Sequence, residues 1–195
     1  MGKIVATEFV SLDGVMEDPG GAEDYEHGGW TFEISRGEEG DKFKFDEVVE
    51  AEAQLLGRRT YEGFAAAWPE RTDEAGFADK MNSMQKFVVS NTLQSADWNN
   101  STIVSGDVVD EIRKLKQSEG GDLLVAGSAR LVHTLIENDL VDEYRLMIFP
   151  VVLGAGKRMW ADTPAAAALE VVDSRKAGEV QIMVLHPKQA EAAAG

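Results

Sequence analysis

Residues 122–158 read DLLVAGSARLVHTLIENDLVDEYRLMIFPVVLGAGKR, and the fold is decided in this stretch. Its opening run, Leu123-Leu124-Val125-Ala126, has the length and apolarity of a strand buried on both faces. Gly127-Ser128 breaks the run. Beyond it, Leu131, Val132, Leu135 and Ile136 fall on one helical stripe, while Arg130, Glu137 and Asn138 fall off it. Asn138-Asp139 ends that helix, and Tyr144–Phe149 reads as a second strand before Pro150. Strand, small-residue turn, helix, strand is a βαβ unit, which calls for a parallel pairing. The turn carries the chemical interest. A strand entering a helix through Gly and Ser leaves first-turn N–H groups and the positive end of the helix dipole facing outward, a setting that favours an anion. A simple tight turn is the alternative at this point.

Working outward, Lys3–Val10 is β-rich and closes on the turn Ser11-Leu12-Asp13-Gly14. Glu17–Trp30 is a Gly-rich loop, long enough to cover a site. Asp41–Ala53 is expected to be an amphipathic helix with Phe45, Val48 and Val49 on its apolar side, and Ala53–Leu56 a short buried strand. Gly57-Arg58-Arg59-Thr60-Tyr61-Glu62 leads into another helix, which Trp68-Pro69 stops. A short helix over 78–84, strands at 86–90 and 102–104, and a helix over 107–116 ended by Gly120-Gly121 follow. Leu169–Asp173 and Val180–Leu185 flank Ala177-Gly178 as a terminal β-hairpin on the edge of the sheet. One domain over 1–187 is expected, with a frayed, Ala-rich tail from 188 to 195.

The 195 residues hold 19 basic and 35 acidic side chains, a net charge of −16, with no dense Lys/Arg block. That balance argues against nucleic acid or an anionic membrane surface as partner. It also makes any local cluster of cations informative. There are no cysteines, so thiol chemistry, disulfides and Cys-based metal sites are excluded. His27, His133 and His186 lack metal-ligand spacing, so no metal is expected. No apolar leader or spanning segment is visible, and a cytoplasmic location is the default.

Three small-residue strand-to-helix turns stand in order: GRRT at 57–60, VVSNT at 88–92 and VAGSAR at 125–130. Together with VSLDG, LLGRRTYE and LVDEYRLMIFPVVLGAGKR, they resemble the dihydrofolate reductase-like superfamily over nearly the whole chain. The match is to the reductase domain of the bifunctional riboflavin-biosynthesis deaminase-reductase. The resemblance implies an α/β three-layer fold: a central mixed, mostly parallel sheet flanked by helices, with a C-terminal antiparallel hairpin. It implies NADPH as cofactor, a homodimer, and the activity of a 5-amino-6-(5-phosphoribosylamino)uracil reductase. Dihydrofolate reductase activity and a non-catalytic, dinucleotide-binding or structural dimer are the alternatives.

By the same resemblance, Gly57, Arg58, Arg59 and Thr60 hold one side of the dinucleotide, with Arg58 or Arg59 on the 2′-phosphate. Ser90 and Asn91 reach that phosphate from the next turn, and Gly127, Ser128, Ala129 and Arg130 cradle the pyrophosphate. The Gly127–Ser128 peptide is expected to be cis or strained, since the superfamily has a cis Gly-Gly there. Asp41, counted back from Gly57, falls where a dihydrofolate reductase keeps its catalytic acid, with Phe45 one turn on; an N-cap is the competing role for Asp41. Asp13 in the SLDG turn is the second catalytic candidate. Lys157-Arg158 is a candidate anion site or else an ordinary surface hairpin, and His27 and Trp30 are lid candidates over the substrate. Tyr61 and Phe64 are further candidates for the pocket wall.

Overall fold

The computed structural model describes residues 2–118, 120–160 and 167–188. The tail expected to fray lies, from residue 189 on, outside the described residues.

Each strand at the sheet centre has two kinds of apolar residue in alternation, because successive side chains point to opposite faces. In β1 (Ile4–Ser11), Ile4 and Ala6 join one core while Val5 joins the other. In β2 (Ala53–Gly57), Leu55 and Leu56 divide the same way, as do Leu123 and Leu124 in β5 (Leu123–Val125). Strands buried on both faces need helices on both faces. The first core is closed by Ile112 of α4 (Val108–Ser118) and by Leu131, Val132 and Leu135 of α5 (Ala129–Glu137). The second is closed by Val48 of α1 (Gly37–Glu50), Tyr61 of α2 (Arg58–Ala67) and Met81 of α3 (Phe77–Ser83).

With β3 (Gln85–Val89), β4 (Ser101–Val104), β6 (Glu143–Phe149), β7 (Leu169–Ala177) and β8 (Val180–Pro187), the strands form one sheet ordered β4-β3-β2-β5-β1-β6-β8-β7. The first six pair in parallel, and β8 pairs antiparallel with both β6 and β7. This is the expected three-layer architecture. The βαβ unit β5-α5-β6 skips one place in the sheet, and β1 lies between its two strands.

The first helix begins four residues earlier than expected. Gly37 takes a left-handed φ of 62°, and a Cβ on Gly40 would stand 2.8 Å from Arg36 Cβ, so two glycines admit a tight entry. Glu38 and Glu39 therefore fall in the first turn, where the helix dipole favours acids. Asp41 sits within the helix, and the N-cap role for it does not hold.

The long loop is packed rather than loose. Asp18 is buried, and its carboxylate accepts the Ala22 N–H at 2.6 Å. Tyr25 donates to the Ala155 carbonyl at 2.6 Å. At the other edge, the hairpin turn is stitched to the entry of α1, with Glu179 N–H donating to Ser35 O at 2.7 Å.

Candidate functional site

The carboxyl ends of β2 and β5 meet through glycine. The Gly57 N–H donates to the Gly127 carbonyl at 3.2 Å. A Cβ on Gly57 would run into Ser128 Oγ and stand 2.9 Å from Ser128 N; one on Gly127, at φ 84°, would stand 2.9 Å from Thr60 Oγ1. The Gly127–Ser128 peptide is cis, as expected from the resemblance. Gly57 and Ser128 are the N-caps of α2 and α5, and neither helix start has a side-chain cap. First-turn N–H groups of two helices are thus left for an outside acceptor along one edge, which suits an anion.

Cations stand beside these helix starts. Arg58 donates to Thr92 Oγ1 at 3.3 Å and so ties the 57–60 turn to the turn after β3. Arg59 and Arg130 are exposed, and among the described residues neither forms a salt bridge. Ser90 and Asn91 lie at the same edge, but their oxygens are in use. Ser90 Oγ accepts the N–H groups of Thr92 and Leu93 at 3.2 and 2.9 Å, and Asn91 Oδ1 accepts the Gly106 N–H at 2.7 Å. They shape the turn, leaving only donor capacity for a ligand.

On the face of the sheet that carries α1, α2 and α3, Asp41 and Phe45 line a cleft of about 620 Å³ together with Arg36, Lys44, Trp68 and Phe77. Phe77 bridges the aromatic wall, its ring 6.1 Å from Phe45 and 5.4 Å from Trp68. Asp41 accepts a hydrogen bond from Arg36 Nε at 2.5 Å. Lys44 donates to Thr7 Oγ1 at 2.6 Å and to the buried Glu47 at 2.9 Å, and lies 4.7 Å from the Phe9 ring centre. Sequence reasoning missed Thr7, Lys44 and Glu47, although Lys44 and Glu47 at i, i+3 share a helix face.

The remaining candidates do not join this cleft. Asp13 accepts from the Ser11 hydroxyl at 2.7 Å and from the N–H groups of Leu153 and Gly154 at 3.1 and 2.8 Å. Those bonds, the serine's first, hold its carboxyl down at about 2, so at neutral pH it has no proton to give. Its expected catalytic role gives way to that of a clamp between two loops. Lys157 is paired with Glu17, and Arg158 donates to the Asp13 and Gly154 carbonyls at 3.1 Å each. These two cations are consumed inside the protein, so the anticipated anion site is a closed hairpin. Trp30 is buried, donates to Glu17 O at 2.9 Å and packs edge-on against Phe149, anchoring the loop in the core rather than lidding a pocket. His27 is exposed beside Tyr25. Tyr61 is likewise core, its hydroxyl accepting the Trp98 N–H at 3.0 Å, and Phe64 packs against the same core.

One further residue belongs to the site. Glu8, on the central strand β1 and 7% exposed, accepts the Gly127 N–H at 2.7 Å. Burial pushes its carboxyl up to about 8, against the opposing pull of the Gly127 N–H and of Lys44. The visible signal was a lone carboxylate in the central strand.

Three outcomes follow from this geometry. Gly57→Ala should lower the melting temperature and the urea midpoint by the equivalent of roughly 1–3 kcal/mol, as expected for overpacking. Gly63→Ala on α2, with open space around its Cα, should stabilise by up to about 1 kcal/mol. For Glu8, the folded-state value near 8 lies above the unfolded one near 4.5. Its contribution is fully present below about pH 4.5 and is lost as pH rises through 8. Unfolding titrations should show a loss on the order of 3–5 kcal/mol across that window in the wild type. That loss should be absent in Glu8→Gln.

Among the described residues no group of three or more His, Asp or Glu is placed to hold a metal ion, and no helix is long and apolar enough to cross a membrane. The family model described as RibD C-terminal domain matches residues 2–183. The uncharacterized protein YyaP of Bacillus subtilis (strain 168) is 31% identical over 186 residues, which covers 93% of each chain. A putative riboflavin biosynthesis protein from Shewanella sp. PV-4 superposes with a TM-score of 0.75 at 19% identity, over 96% of this chain and 99% of its own. The dihydrofolate reductase from Enterococcus faecalis, in complex with NADP(H), does so at 0.57 and 16% identity, over 96% and 98%. The two superpositions establish the dihydrofolate reductase-like fold. The match across residues 2–183, with YyaP beside it, establishes that this chain belongs to the RibD C-terminal domain family, a reductase-type family.

Proposed function

We propose that this protein is an NADPH-dependent reductase that transfers hydride to a C=N or C=O bond of a small heterocyclic or ribosylamino substrate. The nearest named activity is that of 5-amino-6-(5-phosphoribosylamino)uracil reductase. The observation that carries this reading is the convergence of two uncapped helix starts, joined through Gly57 and Gly127, with Arg58, Arg59 and Arg130 beside them. In a chain of charge −16, such a place is suited to a doubly anionic ligand. The Enterococcus relative, which was solved with NADP(H), supports the choice of cofactor.

In this reading the N–H groups at the starts of α2 and α5 take the pyrophosphate. Arg58 or Arg59 takes the 2′-phosphate through a fork of donors. The hydride itself is supplied by the cofactor when bound. The aromatic wall of Phe45, Phe77 and Trp68 holds a flat ring. Asp41, on the same cleft, accepts from a ring N–H once Arg36 yields it. Asp41 and Phe45 on one face of one cleft favour dihydrofolate reductase-type activity as the second reading. A homodimer in the cytoplasm belongs to the same proposal, supported by the edge of β7, which among the described residues pairs with no further strand and where Val171 and Val172 are exposed.

Titration with NADPH should quench tryptophan fluorescence at micromolar concentration, with NADH at least tenfold weaker. The double variant Arg58→Ala/Arg59→Ala should lose that preference and bind NADPH about ten- to a hundredfold more weakly. No binding of NADPH at millimolar concentration would sink the reading. Consumption of NADPH with the ribosylamino-pyrimidine, against consumption with dihydrofolate, separates the two activities.

A further inference from the structure

Glu8 stands directly below the turn proposed to hold the dinucleotide. It lies on β1 between β5 and β6, at the centre of the sheet. Its Oε1 accepts the N–H of Gly127, the residue whose own carbonyl accepts the Gly57 N–H. One carboxyl oxygen therefore holds the β5–α5 turn in register with the β2–α2 turn. Among the described residues Oε2 has no hydrogen-bond partner. The fully enclosed side-chain atoms without one are Gln54 Oε1 and Ser101 Oγ, so Oε2 is not sealed off.

The charges that face Glu8 come from α1: Lys44 and Glu47. Lys44 is already bonded to Glu47 and to Thr7, so its charge is balanced within its own cluster. No hydrogen-bonded cation compensates Glu8. A buried carboxylate in that position would add negative charge beneath a turn whose N–H groups are open to an anion, where repulsion in a medium of reduced dielectric is strong.

We propose that Glu8 is the positioning residue of the phosphate-binding turn and performs this role as the uncharged acid, so that its ionisation and binding of an anionic dinucleotide oppose one another. This rests on the NADPH reading above. It adds a consequence that a purely structural glutamate lacks: binding at alkaline pH must draw a proton from solvent. Burial already favours the protonated form at neutral pH, with the carboxyl at about 8. The second ionisation of the 2′-phosphate, near pH 6, lies below the relevant window.

The test is calorimetric titration of the whole protein with NADPH at pH 7.0 and at pH 9.0, at each pH in two buffers of different ionisation enthalpy. The wild type should bind more weakly at pH 9.0, by up to about tenfold, and take up a substantial fraction of a proton there. Glu8→Gln keeps an acceptor for the Gly127 N–H. It should match the wild type within about threefold at pH 7.0 and lose both the pH dependence and the proton uptake. Glu8→Ala should bind more weakly at both pH values. If Glu8→Gln folds poorly, proton uptake by the wild type still decides. Equal affinity at both pH values with no proton uptake, or uptake that persists in Glu8→Gln, would overturn the role of Glu8 and leave the cofactor reading standing. No NADPH binding at either pH would overturn both.

Discussion

The ends of β2 and β5 approach so closely that no side chain fits between them. Gly57 lies against Ser128, and Gly127 against Thr60, with a backbone hydrogen bond of 3.2 Å across the gap. Much else is arranged to permit this contact. β2 and β5 must be neighbours, so the chain leaves the sheet after β2, builds β3 and β4 outward, and returns through α4 to pair β5 on the inner side. Helices α2 and α5 then begin within a few ångströms of each other. A side chain capping either start would take up N–H groups that are otherwise open to an anion, and neither has one. The same geometry that favours an anion here is therefore a local cost to the free protein.

Charge is distributed with the same economy. The surface is strongly acidic, and most of its cations are paired nearby: Lys42 with Asp46, Lys114 with Glu111, Lys116 with Asp142. The helix ends supply positive potential that does not depend on side chains, and Arg58, Arg59 and Arg130 add to it. Beneath the site the polar residues are arranged in two ways. Thr7, Lys44 and Glu47 form a closed, mutually satisfied cluster, whereas Glu8 makes one backbone bond and keeps one oxygen free. A satisfied cluster rigidifies; a carboxyl with spare capacity can respond to what binds above it.

The turns were legible in the sequence because their chemistry is local. Gly127-Ser128 after an apolar tetrad, and Gly57 before two arginines, announce a close approach within a few residues of the strand that creates it. The roles of Asp13, Lys157 and Arg158 were not legible for the opposite reason. Their partners lie about 140 residues away, and only the pairing of β1 with β6 brings the SLDG turn against the GAGKR turn. Two basic residues beside glycines read equally well as an anion site or as an ordinary surface hairpin until those acids are in place. The start of α1 is less legible: the pattern places it at Asp41, whereas Gly37 and Gly40, weak helix formers, lie inside the helix, where packing against Arg36 and Met147 overrides propensity. Trp30 looked like a lid because it ends a long loop, yet Phe149, more than a hundred residues on, draws it into the core.

The most direct test of the account is a crystal structure of the protein grown with NADPH. The pyrophosphate should lie against the N–H groups that open α2 and α5, with the 2′-phosphate within hydrogen-bonding reach of Arg58 or Arg59 and the nicotinamide facing the cleft of Asp41 and Phe45. A dinucleotide seated elsewhere, or saturated crystals with these helix starts still solvated, would contradict it.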